Sequence, residues 1–243
     1  MTNYEMLIDI TCKSKQNIEY LHSSGKMDIL NKCISFTEDL ENWINICGKE
    51  SAKELFAEAQ TNCIYSIYMC AQGLYKEAII SLRQCLEHTL FAIMLSTNDY
   101  RYRLWKLGQY DMSWAQLMDD QNGVFGKQFI SVYANDIDSS RNIEFLNIAK
   151  AVYRECSEFV HGNYKKLSIL SNGLQYNENA FERYIDCFSS IQYVISMALF
   201  IRFRELLNVP EVLTTLESAI MDNIGMLPEV QLLYNRGEGE TNG

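Results

Sequence analysis

Two prolines in 243 residues are the strongest constraint this chain carries. Proline removes a backbone donor and clashes with the preceding helical turn, so a chain that avoids it can run long uninterrupted helices. Pro210 and Pro228 both lie in the C-terminal sixth, and only twelve glycines occur. Periodicity points the same way. Apolar residues recur at helical spacing throughout, and no period-2 strand pattern or internal repeat is found. The expectation is an all-α fold of about seven to nine helices, with long ones over about 3–22, 27–47, 51–73, 75–96, 140–161 and 179–207. No linker-like stretch separates two cores, which predicts a single domain over 1–235. Its core is expected at about 51–207, with the N- and C-terminal helices packed on it and 236–243 a disordered tail. The segment "KEAIISLRQCLEHTLFAIMLS" is apolar nearly all round, as a central buried helix is.

The N-terminus lacks a basic-then-apolar signal pattern. The longest apolar run, "YVISMALFI", is much shorter than the roughly 20 residues of a membrane-spanning helix. A cytoplasmic protein without a membrane partner is the expectation. Eight cysteines include no CxxC pair and no Cys–His cluster with zinc spacing, so they read as small buried hydrophobes, with no metal and no cofactor expected. A net charge of −10 excludes a broad non-specific grip on nucleic acid, which needs many phosphate-neutralising cations, but leaves room for a local basic site. Glycine-rich phosphate loops, paired-carboxylate metal motifs and the Gly-x-Ser-x-Gly elbow are absent, which removes kinase, metallohydrolase and serine-hydrolase readings.

One stretch carries candidate chemistry: "AVYRECSEFVHGNY", residues 151–164. Arg154, Ser157, Glu158 and His161 fall at i, i+3, i+4 and i+7, one polar stripe of a helix, while Val152, Cys156, Phe159 and Val160 fall mainly on the other side. Seven residues is almost two turns, so Arg154 and His161 stand about 20° apart around the axis. Gly162 is a natural helix stop, which puts His161 in a last turn where the dipole favours imidazolium. A histidine beside a fixed arginine can move a proton while the arginine holds phosphate. The same stripe is also what an ordinary solvated face looks like, with Glu158 pairing Arg154. Lys150, Arg154, Lys165 and Lys166 outnumber Glu155 and Glu158 over 150–166, a basic patch on an acidic chain.

Arg154-x6-His161 resembles the R-x4–6-H motif of the HEPN superfamily, small all-helical domains that include many metal-independent endoribonucleases. The wording "YRECSEFVHGNY" is also similar to helical proteins of bacterial toxin–antitoxin and antiphage-defence loci. The resemblance implies a HEPN-like core, RNA cleavage by Arg154 and His161, and a homodimer that brings two Arg–His pairs to one cleft. An antitoxin or ATPase partner protein is a further implication. Asn163, Tyr164 and Lys165, with Ser157 and Glu158, are the expected substrate-binding residues. Active members often carry Asn, Asp or His after the arginine; here Glu155 follows, an acid able to tie up Arg154 or repel phosphate. A non-catalytic interaction module that binds a partner protein or RNA is the competing reading.

Two further features stand outside that motif. Arg83 and Glu87, four apart in the most apolar helix, must be paired or border a cavity, since lone buried charge is costly. They are expected either as a structural pair or as outer support for the His161 site. "YRYRLWK" (100–106) alternates cations and aromatics, a pattern able to stack bases and bind phosphates, and equally that of a helix whose long side chains snorkel over a core.

Overall fold

The computed structural model describes residues 2–47, 52–160 and 174–238. Among them there is no strand; eleven α-helices and two 3-10 turns account for the regular structure. They are α1 (Asn3–Ser23), α2 (Met27–Cys47), α3 (Lys53–Ala71), α4 (Tyr75–Leu95), α5 (Asp99–Lys106), α6 (Trp114–Leu117), α7 (Lys127–Tyr133), α8 (Asn142–Val160), α9 (Glu178–Arg202), α10 (Pro210–Ile224) and α11 (Pro228–Glu238). The all-α expectation holds. The helix number exceeds the seven to nine expected because the middle segment breaks into short helices and Pro228 opens one more, reaching into the expected tail. The long helix expected over 179–207 ends at Arg202 and continues as a 3-10 turn, Arg204–Asn208.

Helix starts are set by local chemistry. Thr2 and Ser113 each make a capping box, with Glu5 and Gln116 respectively, and Asn98 and Asn177 accept from the N–H of Arg101 and Ala180. Pro210 takes the first position of α10, where its missing N–H costs nothing. Asp138 caps the 3-10 turn Ser139–Arg141 that leads into α8.

The α3–α4 hairpin and α9 form the centre, with α8 packed against both α4 and α9. α2 lies on α3, α10 covers α2 and α9, and α1 touches α3. The hairpin bend needs Gly73: its φ is +82°, and a Cβ there would stand 2.5 Å from Nδ2 of Asn17. That amide donates to the carbonyls of Gln72 and Leu174, tying α1 to two bends at once. α4 and α9 are long and apolar enough to span a bilayer by length and composition, yet 67% of the relevant window of each is buried inside the fold. One contiguous apolar cluster contains Leu82, Leu86, Ile93, Phe145, Phe159, Tyr184, Phe188 and Phe200 among others. Seven of the eight cysteines are buried, and Cys12 is exposed.

Candidate functional site

α8 is amphipathic and settles its two sides by what it packs against. Val152, Cys156 and Phe159 are buried against α4 and α9. A hydrogen bond with Cys187, and then burial, push the Cys156 thiol far above the usual range, as in an inert core group. On the other side Arg154 is 82% exposed, with its Nε 3.5 Å from Oε1 of Glu158. The Arg154–Glu158 pair expected of a solvated face is therefore present, loose and open to solvent.

Glu155 does not occupy Arg154. It turns to α9, where it accepts a 2.7 Å hydrogen bond from Nε of Arg183 and a second contact from that guanidinium. This partner raises Arg183 further above its ordinary value. The pair lies on an open groove of about 350 Å³ between α8 and α9, lined also by Ile148, Ala151, Asp186 and Ser190. The expected conflict between Glu155 and Arg154 is thus absent: adjacent helical residues point about 100° apart, and α9 supplies a cation.

Ser157 is turned inward. Its Oγ donates to the Tyr153 carbonyl at 2.7 Å, the back-bond a helical serine makes with the previous turn. Tyr153 in turn anchors a layered cluster. Arg83 Nη2, from α4, donates to the Tyr153 hydroxyl at 3.0 Å and to Glu87 Oε1 at 3.1 Å. The Arg83 guanidinium lies 4.7 Å over the Tyr153 ring, and the Trp114 indole stacks on that ring at 3.8 Å with planes 8° apart. Burial, and then the Glu87 carboxylate, raise the Tyr153 phenol above its ordinary value. Arg83 and Glu87 are 20% and 28% exposed, and the pairing expected from their spacing is made.

Arg83 and Glu87 therefore meet α8 through Tyr153, one residue before Arg154. His161, Asn163, Tyr164 and Lys165 lie outside the described residues. Tyr153, Trp114 and Arg183 are the participants sequence reading overlooked. Tyr153 could have been found four residues before Ser157; Trp114 opens a capping-box helix; nothing local marks Arg183.

The other histidines are elsewhere: His22 is exposed on α1, and Nδ1 of His88 lies 3.3 Å from Nδ2 of Asn62. The cations of "YRYRLWK" are engaged within the fold. Arg103 pairs with Asp99, Lys106 with Glu54, and Arg101 lies over Tyr110. Tyr102 also donates to Glu54 at 2.7 Å, and those hydrogen bonds lower the Glu54 carboxyl to about 2. α5 is thereby fastened to α3. Among the described residues no group of three or more His, Cys, Asp or Glu could hold a metal ion. No family model matches the chain, nor does any curated protein or solved structure.

Proposed function

We propose that the chain is a metal-independent endoribonuclease of HEPN type, in which Arg154 and His161 act on the scissile phosphodiester. The observation that carries this reading is the pairing of Glu155 with Arg183, which leaves Arg154 at the solvent face of α8 with a charge to offer an incoming phosphate. RNA brings its own nucleophile. His161 would take the 2′-hydroxyl proton as O2′ attacks phosphorus, Arg154 would stabilise the phosphorane charge, and the P–O5′ bond would break as O5′ gains a proton. The products are a 2′,3′-cyclic phosphate and a 5′-hydroxyl. Two proton transfers with one motif histidine per chain call for a homodimer with two Arg–His pairs in one cleft.

Purified, EDTA-treated protein should cleave single-stranded RNA, and Arg154→Ala and His161→Ala should each abolish cleavage while thermal unfolding is unchanged. Cleavage that survives either substitution refutes the assignment. One observation favours a second reading, a binding module without chemistry: Glu158 lies against the same arginine at 3.5 Å. Expression separates the two. An active nuclease arrests growth and its Arg154→Ala form does not; a binding module is tolerated in both forms.

A further inference from the structure

An open groove of about 530 Å³ lies between α2, α9 and α10, within the roughly 300–1,000 Å³ of small-molecule sites. Ile29, Phe36 and Ile185 form apolar wall along it, and Asp39, Gln192 and Asn223 line its polar end. Asp39 stands ten residues after Ile29, about 15 Å along the α2 axis. At the polar end the hydrogen bonds have one direction. Nδ2 of Asn223 donates to the Ala219 carbonyl at 2.6 Å and to Oδ2 of Asp39 at 2.9 Å. A carbonyl can only accept, so that amide cannot be turned round. Its Oδ1 therefore accepts from Nε2 of Gln192. Oε1 of Gln192 and Oδ1 of Asp39 are left as acceptors, beside the Asp222 carboxylate. The Ser35 hydroxyl is no donor to them, since it donates to the Asn31 carbonyl. Asp39 is half-buried, and no cation among the described residues pairs with it. Desolvation raises its carboxyl, the Asn223 hydrogen bond offsets part of that, and Asp222 and Glu38 raise it further. Lys32, the cation on the groove wall, is seven residues from Asp39, about 10 Å along α2.

We propose that this groove binds a small primary monoamine, with its ammonium on Asp39 and its apolar body along Ile29, Phe36 and Ile185. A half-buried carboxylate without a cation is unfavourable, and an ammonium turns it into a charge-assisted pair. The ammonium has three donors and no acceptor, which matches the acceptors left at that end. Lys32 restricts the ligand to one positive charge, because the far ammonium of a diamine would lie against it. The groove shares no residue with α8, so the site stands whether or not the chain cleaves RNA.

The test is isothermal titration calorimetry of the full chain at pH 7 with 2-phenylethylamine, its neutral isostere 2-phenylethanol, and the anion phenylacetate. The amine should bind at millimolar concentration or below, the alcohol about ten-fold more weakly, and the anion not at all. Asp39→Asn keeps the shape of the side chain and removes its charge. It should weaken amine binding about ten-fold and leave the alcohol within about two-fold. Thermal unfolding of the same variant shows that it is folded, so a loss of binding is a loss of the carboxylate. Lys32→Glu, on the exposed wall, should strengthen binding of the diamine cadaverine and leave 2-phenylethylamine within about two-fold. No amine binding at millimolar concentration, equal binding of amine and alcohol, or an amine affinity unchanged in Asp39→Asn overturns the site. A cadaverine affinity indifferent to Lys32→Glu overturns the placement of the ligand along α2.

Discussion

Replacing Arg83 by methionine tests the cluster that holds α8 against α4. The guanidinium makes two hydrogen bonds, at 3.1 Å to Glu87 and 3.0 Å to Tyr153, and one ring contact at 4.7 Å. Methionine keeps most of the aliphatic stem and loses all three. Hydrogen bonds to a charged group are worth about 1.5–3 kcal/mol when protected from water. With side chains 20% and 28% exposed, water recovers part of that for Glu87. One gain opposes the losses: Arg83 Nε is buried without a partner, a desolvation cost of about 1 kcal/mol that methionine removes. The net expectation is a destabilisation of about 2 kcal/mol, or a fall in Tm of about 4–8 °C for a chain of this size. Urea unfolding followed by circular dichroism reads it. The stranded Glu87 carboxylate is the main penalty, so Arg83→Met with Glu87→Met should recover to within about 1 kcal/mol of wild type. A loss below about 0.5 kcal/mol in the single variant, or a double variant no better than the two losses added, would show that the Arg83–Glu87–Tyr153 cluster does not hold α8 in this way.

Three further outcomes follow from the same geometry. Gly73→Ala forces a side chain into φ +82° and against Asn17, and should cost about 2 kcal/mol or more in urea unfolding, whereas alanine at Gly25, with φ +74° but open space, should cost about 1 kcal/mol. Asp39 is half-buried and its carboxyl is raised above 3.8, first by desolvation and then by Asp222 and Glu38, against the hydrogen bond from Asn223. A raised acid pKa means the folded state holds the proton more tightly, so Asp39 costs stability as pH rises above 3.8, fully so above its folded value. Asp39→Asn should therefore unfold at higher urea at pH 7 than wild type, and the advantage should vanish in acid. Finally, a thiol reagent on the native protein should modify one cysteine, Cys12, and all eight after denaturation. Fast reaction of more than one native thiol would contradict the packed core.

The scarcity of proline made the long helices legible, because helix continuity is a local property. Their ends were less so. The run expected over 179–207 breaks after Arg202, where Arg202 stacks on Tyr133 and bonds Ser96, and Arg204 turns to Asp136. Those contacts come from distant helices. The same distinction governs the site. Arg83 with Glu87 was readable because i and i+4 share a face, but Tyr153 is 70 residues from Arg83 and no local pattern joins them. Glu155 shows the converse: next to Arg154 in sequence it looked like a competitor, and tertiary packing gave it Arg183, 28 residues away.

In the proposed reaction Arg154 and His161 cleave RNA through its own 2′-hydroxyl. The most direct measurement compares an RNA with its 2′-O-methyl counterpart in EDTA and identifies the product ends by mass. The expected outcome is a 2′,3′-cyclic phosphate and a 5′-hydroxyl from the RNA, an uncut 2′-O-methyl strand, and no products from His161→Ala protein. Products with 5′-phosphate ends, a cut 2′-O-methyl strand, or cleavage that appears only when Mg²⁺ is added would contradict it.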